Sequence, residues 1–252
     1  LSEGMEIIEE FDVCVVGGAG HIGLPLSICF ANEGLEVLIY DINQSALSTI
    51  GNGEMPFQEA GAEEKLPRLI NSNLSLTSKM SDVGKAAVVV VTIGTPVDEH
   101  LNPTYHEVKN FFLELAQYLT GDQLVILRST IYPSTTEKIR NLLQDKIPGI
   151  EVCFCPERIA EGKAMTELYT LPQIVSGFDE KAIRQASELF RKFTNDIIIL
   201  SPLEAELTKL FNNSWRYLEF AAANQFYMIA EAADADFYKI YHAMTHKYPR
   251  AK

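Results

Sequence analysis

Short apolar runs and amphipathic stretches alternate along most of this chain. Asp12-Val13-Cys14-Val15-Val16 predicts a buried strand, and His21 to Asn32 predicts a helix. Glu36 to Tyr40 predicts a second strand, and Leu74 to Thr77 a short third one. Ala87 to Thr92 is β-branched and unbroken, the pattern of a strand covered on both faces. A helix is expected from Thr104 to Leu119. It opens on a capping box, Thr104 and Glu107, ends at Gly121, and carries an apolar stripe of Val108, Phe111, Phe112, Leu115 and Leu119. Strands follow at Gln123–Leu127, at Glu151–Phe154, at Gln173–Ser176 and at Asp196–Leu200. Helices fall over Thr135–Leu143 and Asp179–Phe193. Repeated βα units of this kind predict an α/β class with a doubly wound, mostly parallel sheet and helices on both faces.

After Leu200 the pattern changes. Ser201-Pro202-Leu203-Glu204 is a second capping box, with Pro at the first helical position. From there to about Ala232 no helix breaker occurs and no strand follows. The expectation is therefore two domains, 1–200 carrying the sheet and 201–252 opening a helical domain. The long helix is of a length to pair with another subunit, which points to a homodimer or a higher oligomer.

Composition narrows this picture. Of 252 residues 47% are hydrophobic and 22% charged, an ordinary globular balance. No run of 18 apolar residues is present, so no membrane helix is expected, and the acidic start LSEGMEIIEE lacks a signal-peptide core. A net charge of −13 argues against non-specific nucleic-acid binding. Cys14, Cys29, Cys153 and Cys155 sit in apolar surroundings, without the His and Cys spacing of a metal site, and fit a reducing, cytoplasmic setting. The chain begins at Leu1 and stops after Pro249-Arg250-Ala251-Lys252 with no helix stop signal, so it reads as a piece of something longer.

Candidate chemistry gathers at strand ends. Gly18-Ala19-Gly20-His21-Ile22-Gly23 is G-x-G-x-x-G after a strand and opening a helix, with Asp41 ending the next strand. In that context Gly18 makes a tight turn, Gly20 lets backbone N–H groups approach a pyrophosphate, and Gly23 allows close helix packing. Asp41 can hold a ribose diol and would repel a 2′-phosphate, which favours NAD over NADP. A Gly-rich turn without a ligand is the plain alternative. The segments Thr92-Ile93-Gly94-Thr95-Pro96 and Arg128-Ser129-Thr130-Ile131-Tyr132-Pro133 also end strands. They serve equally as cofactor lining or as turn chemistry. Cys155-Pro156-Glu157-Arg158-Ile159-Ala160-Glu161-Gly162 leaves another strand, which would set Glu157 and Glu161 facing one crevice. A carboxylate there can act as a general base, and two acids four apart also suit a solvated helix face. Glu206, Lys209 and Asn213 share one face of the long helix, where Lys209 is either a proton-handling lysine or a surface one.

Taken together, GAGHIG, IGTP, RSTIYPST, PERIAEG and ELTKLFNN, in that order and spacing, resemble the nucleotide-sugar 6-dehydrogenases. These include the UDP-glucose enzymes and their UDP-N-acetylmannosamine and UDP-N-acetylglucosamine relatives. The resemblance implies a Rossmann-type sheet, then a dimerising helical domain, then a C-terminal UDP-binding domain that this chain lacks. It implies that Gly18 to Gly23, Asp41, Gly94, Thr95, Pro96, Ser129, Thr130 and Glu161 contact NAD. Glu157 would be the acid–base glutamate. Lys209 and Asn213 would lie beside the reacting C6 carbon, with Thr130 near them, Arg158 near the substrate, and Arg250 reaching the nucleotide-sugar of a neighbouring subunit. The implied reaction oxidises a C6 alcohol to a carboxylate with two NAD, supplying polysaccharide biosynthesis. The intermediate is held on a cysteine that lies downstream of the arginine in the family. None of the four cysteines here fits that role.

Where the family's UDP-glucose members usually carry Asn and an apolar residue, this chain has Cys155 and Arg158, a pattern nearer the N-acetylhexosamine branch. Ala46 and Ser134 also depart from common family residues. Two alternatives remain at this stage. One is a 3-hydroxyacid dehydrogenase of the 6-phosphogluconate type, against which the PERIAEG loop speaks. The other is a non-catalytic NAD-binding module, if the gene itself ends at Lys252.

Overall fold

The apolar runs all become strands of one sheet. The computed structural model describes residues 10–94 and 105–248. The strands are β1 (Phe11–Val16), β2 (Val37–Tyr40), β3 (Leu74–Thr77), β4 (Ala86–Val91), β5 (Leu124–Leu127), β6 (Glu151–Phe154), β7 (Gln173–Ser176) and β8 (Ile197–Leu200). Their order across the sheet is β3-β2-β1-β4-β5-β6-β7-β8. Successive residues feed opposite cores. Val13 and Val15 pack into one apolar cluster, while Cys14 and Val16 pack into the other. With both faces covered, a strand needs no polar side, which is why these runs read as unbroken.

Helices α1 (Gly23–Asn32), α2 (Gln44–Gly51), α3 (Leu66–Leu69), α4 (Tyr105–Leu115), α5 (Thr135–Gln144), α6 (Ala164–Thr170) and α7 (Glu180–Phe190) fill the connections. Residues of α1, α6 and α7 build the first cluster, and Phe112, Leu115, Ile139 and Leu143 of α4 and α5 build the second. All strand pairs are parallel except β6 with β7, an antiparallel contact through Phe154 and Ser176. There the Ser176 hydroxyl donates to the Phe154 carbonyl at 2.7 Å. β1 lies between β2 and β4, so the winding reverses at its two neighbours, and a crevice opens at the carboxyl ends of β1 and β4.

Several expected boundaries move. The first helix starts at Gly23, not His21, because residues 17–22 form a turn closed by the Gly20 N–H on the Gly17 carbonyl at 3.2 Å. The fourth ends at Leu115 and continues only as turns to Leu119, which is still buried. The helix over Asp179–Phe193 is shorter, because Asp179 is its cap and accepts from the Ala182 N–H at 2.9 Å. Thr104 of the expected capping box lies outside the described residues. Helices α2, α3 and α6 and the 3-10 turn at Met80–Lys85 went unread because they are too short for a periodic signal.

The chain divides into two compact units between Lys209 and Leu210. Helix α8 (Pro202–Ala232) runs across that boundary over the span its breaker-free sequence predicts. Its first turn carries the predicted capping box, with the Glu204 carboxylate accepting from the Ser201 N–H at 2.8 Å. In the second unit α9 (Phe237–Thr245) follows, capped by Asp236, and Phe237 packs edge-on to Tyr227.

Candidate functional site

Glycine chemistry at the end of β1 comes first. Gly17 carries the positive φ of 76°, so it makes the turn assigned above to Gly18. Gly18 answers a different demand. A Cβ there would stand 2.7 Å from the Val15 carbonyl oxygen and 2.9 Å from Ile39. At Gly23 a Cβ would meet the Gly17 oxygen at 2.4 Å and the Gly18 Cα at 2.6 Å, so only glycine lets α1 start so close to the turn. Helix α1 has no side-chain cap, which leaves its amino end available to an anion. Asp41 ties the turn to β2, one carboxylate oxygen accepting from the Ala19 N–H at 3.0 Å and the other from the Asn43 N–H at 2.9 Å. Each oxygen keeps a lone pair for a ribose hydroxyl. Beside it Ile42 is 80% exposed. His21 stacks on Phe57 with centroids 4.0 Å apart.

The crevice holds a cavity of about 240 Å³ lined by Ile22, Thr92, Ile93, Gly94 and, across it, Arg128, Ser129, Thr130, Glu157, Ile159 and Lys209. Every strand that contributes does so from its carboxyl end. The Thr92 hydroxyl donates to the Val16 carbonyl at 2.8 Å and joins β4 to the glycine turn. The Ser129 hydroxyl donates to the Ile93 carbonyl and joins β5 to β4. These bonds draw three strand ends into one wall.

Arg128 is buried and organises the far side. Its guanidinium donates to the Cys155 carbonyl at 3.1 Å, to Gln173 at 3.2 Å and to the Glu157 carboxylate, and it lies 4.8 Å from the Phe190 ring centroid. Glu157 is 5% exposed. Its second oxygen accepts from the Arg158 N–H at 2.6 Å and the Ile159 N–H at 2.9 Å. The carboxylate is thus held from both sides at the cavity wall. The Lys209 ammonium donates to the Glu157 backbone carbonyl. The Lys209 ammonium from α8 and the Glu157 carboxylate, in a cavity that Ser129 and Thr130 also line, form a set that can receive a proton from a substrate alcohol and steady a developing oxyanion.

Other expected residues fall elsewhere. Residues 155–160 are not helical, and Glu161 is exposed and does not line the cavity, so the two glutamates do not share the crevice. The turn at Gly162, with φ 78°, carries the chain away there, and its N–H is held by Glu59 at 3.0 Å. The Arg158 guanidinium donates to the Pro172 carbonyl and does not line the cavity either. Asn213 lies in the second unit, where its amide oxygen accepts from Arg216 at 3.3 Å. Thr95, Pro96 and Arg250 lie outside the described residues.

Burial pushes the Cys29 and Cys155 thiols up to about 12, and it raises those of Cys14 and Cys153 as well. All four are buried thiols, poor nucleophiles at neutral pH. Among the described residues no cluster of three or more His, Cys, Asp or Glu could hold a metal ion, and no helix is long and apolar enough to cross a membrane.

Three residues without an assigned role in the sequence reading turn out to be structural pivots: Arg128, Glu206 and Glu59. Arg128 stood in the RSTIYPST motif, flush against an apolar strand, and a charge at that junction was the available signal. Glu59 is buried in the acidic stretch EAGAEE, where nothing distinguishes it from its solvated neighbours.

The description "UDP-glucose/GDP-mannose dehydrogenase family, NAD binding domain" matches residues 11–194, and "UDP-glucose/GDP-mannose dehydrogenase family, central domain" matches residues 203–251. A UDP-N-acetyl-D-mannosamine dehydrogenase of Methanococcus vannielii is 32% identical over 225 residues, covering 87% of this chain and 51% of that protein. The solved structure of a UDP-D-ManNAc dehydrogenase from Pyrococcus horikoshii superposes with a TM-score of 0.86 at 29% identity, over 94% of this chain and 58% of that one. That of the UDP-N-acetyl-mannosamine dehydrogenase Cap5O from Staphylococcus aureus superposes with a TM-score of 0.81 at 27% identity, over 94% and 59%. The chain spans about half the length of the relatives it matches.

Proposed function

The chain belongs to the UDP-glucose/GDP-mannose dehydrogenase family, with an NAD-binding domain of that family at its amino end, and from that premise we propose that it oxidises the C6 alcohol of a UDP-sugar to the uronate. UDP-N-acetylmannosamine or UDP-N-acetylglucosamine is favoured over UDP-glucose. The observation that carries this reading is the convergence of Glu157, Lys209 and Thr130 on one cavity that also reaches Ile22 and Gly94 beside the glycine turn. An alcohol oxidation needs a base for the hydroxyl proton and a hydride acceptor facing the carbon that bears it, and going on to the uronate needs a second NAD and the oxygen of a water.

The residues present fit NAD. The space at Gly20, the steric demands at Gly18 and Gly23, and the uncapped α1 suit a pyrophosphate, while Asp41 suits a ribose diol. Gly94, Ser129 and Thr130 would flank the nicotinamide end. Bound there, NAD supplies the hydride acceptor. Lys209 steadies the alkoxide as the C6 hydroxyl loses its proton. Glu157, fixed by Arg128, receives that proton directly or through water. Ile22 and Ile159 give the cavity part of its apolar lining.

The preference for an N-acetylated sugar is supported by the Cys155 and Arg158 pattern and by relatives that carry UDP-N-acetyl-D-mannosamine dehydrogenase names. Large apolar side chains exposed on α8, among them Phe211, Trp215 and Tyr217, support a homodimer through that helix. Polysaccharide precursor supply is the role that such a uronate suits, and a cytoplasmic site is where NAD and UDP-sugars meet.

The test is the stoichiometry of NADH formed by the full-length protein with each of the three UDP-sugars. Two NADH per sugar, with an N-acetylated sugar preferred, is the expected result. One NADH per substrate, or activity only on a free 3-hydroxyacid, would overturn it.

A further inference from the structure

Glu206 is a carboxylate 1% exposed on the second turn of α8. Its oxygens accept from the Ser134 N–H at 2.6 Å, from the Thr136 N–H at 2.8 Å and from the Thr136 hydroxyl at 2.6 Å. All three donors belong to the amino end of α5. That helix begins badly by itself. Ser134 stands at its cap position with φ 66°, in the left-handed region, and its side chain makes no capping bond. Helix α8 therefore supplies the cap that α5 lacks, and a negative charge at a helix amino end is the favourable choice.

This contact is continuous with the cavity on both sides. The segment that receives Glu206 starts at Arg128, and its Ser129 and Thr130 line the cavity. On α8 Lys209 follows Glu206 by three residues, less than one turn, lines the same cavity and donates to the Glu157 carbonyl. Ala205, beside Glu206, is wholly buried in the sheet's second apolar cluster, which fixes the rotation of α8. A lysine side chain has four rotatable carbons and places its ammonium only as well as its Cα is placed.

We propose that Glu206 is the positioning residue for Lys209: by capping α5 across elements it locks the start of α8 against the strand-end wall and so sets the ammonium against the Glu157 loop. The inference rests on the proposed role of Lys209 in the cavity. It adds a requirement that the role alone does not contain, namely that a buried carboxylate three residues away governs where that ammonium sits.

Replacing Glu206 by Gln keeps the side-chain shape and removes the charge. The amide NH2 then opposes one backbone N–H. In the full-length protein, acetylation of Lys209 by an amine-reactive reagent, followed by mass spectrometry, should speed up on the order of tenfold in Glu206→Gln, the scale of losing a charged hydrogen-bond acceptor. Acetylation of exposed Lys239 should not change. kcat should fall by a larger factor than KM for NAD rises, since the glycine turn and Asp41 make no contact with Glu206. Leu143→Ala, a buried truncation at the other end of α5, serves as the control for mere destabilisation. It should lower Tm and leave Lys209 acetylation at the wild-type rate. Thr136→Val removes one donor with little change of shape. It should raise the acetylation rate by a smaller factor, and it carries the test if Glu206→Gln does not fold. Wild-type acetylation rates in Glu206→Gln and Thr136→Val would overturn the proposal, as would an equal rise in Leu143→Ala. Faster acetylation in a protein that oxidises no UDP-sugar would uphold the positioning and overturn the function.

Discussion

Arg128 directly follows the apolar strand β5, and the partners of its guanidinium lie at least 27 residues away in the chain. It joins Cys155, Glu157 and Gln173, so a single guanidinium fixes the loop that carries the proposed base. Arg128→Met keeps the bulk and strands Glu157 as a buried charge without its counter-ion. A loss of about 3–5 kcal/mol is expected, the usual cost of halving a buried ion pair, seen as a lower urea midpoint at pH 7. Residues of this kind show where sequence reading stops. Glu157, Lys209 and the glycine turn were legible because unusual residue types stood at strand ends, where open α/β sheets place their ligands. The bonds from Arg128 to Glu157 and from Glu206 to Thr136 were not, because tertiary pairing leaves no periodic trace. Strand-end position and spacing set Glu161 in the crevice, and the family resemblance set Arg158 near the substrate. The left-handed turn at Gly162 and the pull of the Pro172 carbonyl account for their placement outside it.

At the scale of elements, β6 starts against the amino end of α7, and two carboxyl groups meet there. Burial, then a hydrogen bond and the charge of Asp179, push the Glu151 carboxyl up to about 7, against the weaker pull of Arg140 and Lys181. For Asp179 burial acts upward, but the bond from Glu151 and the N–H bonds of α7 hold it below the ordinary range. Arg140 stands 4.0 Å from Glu151, too far for a hydrogen bond. Between about 4.5 and about 7 the folded protein keeps a proton on Glu151 that the unfolded chain has released, so stability falls as pH rises through that window. The Asp179 contribution runs the other way and is lost as pH falls below its unfolded value near 3.8. Glu151→Gln should therefore match the wild type at pH 5 and exceed it at pH 8, by on the order of 1 kcal/mol after solvent screening of a partly exposed group. Thermal melts at the two pH values check this. Neither partner was flagged in the sequence, although the strand and the helix that carry them were. Their apolar runs gave the elements away, while the meeting of their ends depends on the sheet order.

At the scale of the molecule, 34 acidic residues against 21 basic ones leave a net charge of −13, and that self-repulsion weakens the compact state. Raising NaCl from about 0.01 to about 0.15 M shortens the screening length from roughly 30 to 8 Å. It should lift Tm by about 2–4 °C, a change of roughly 1 kcal/mol for a chain of this size. A scanning-fluorimetry salt series at fixed pH reads it, and a flat or falling series would show that the charges are already locally neutralised. The class of the fold was legible because βα units repeat, and so was α8, because nothing in it breaks a helix. The antiparallel pairing of β6 with β7 was not, since the run Gln173–Ser176 looks the same in either direction. The strand order has a further consequence for how the chain is made. β1 is made well before β4, yet the two pair in the sheet, with Val16 opposite Val91. At about 5–20 residues per second the intervening chain takes roughly 4–15 s to appear. For that interval β1, whose last four residues end up buried, has one open edge of unpaired backbone. The nascent protein must shelter that edge, by chaperone or by delayed collapse, before the crevice can form.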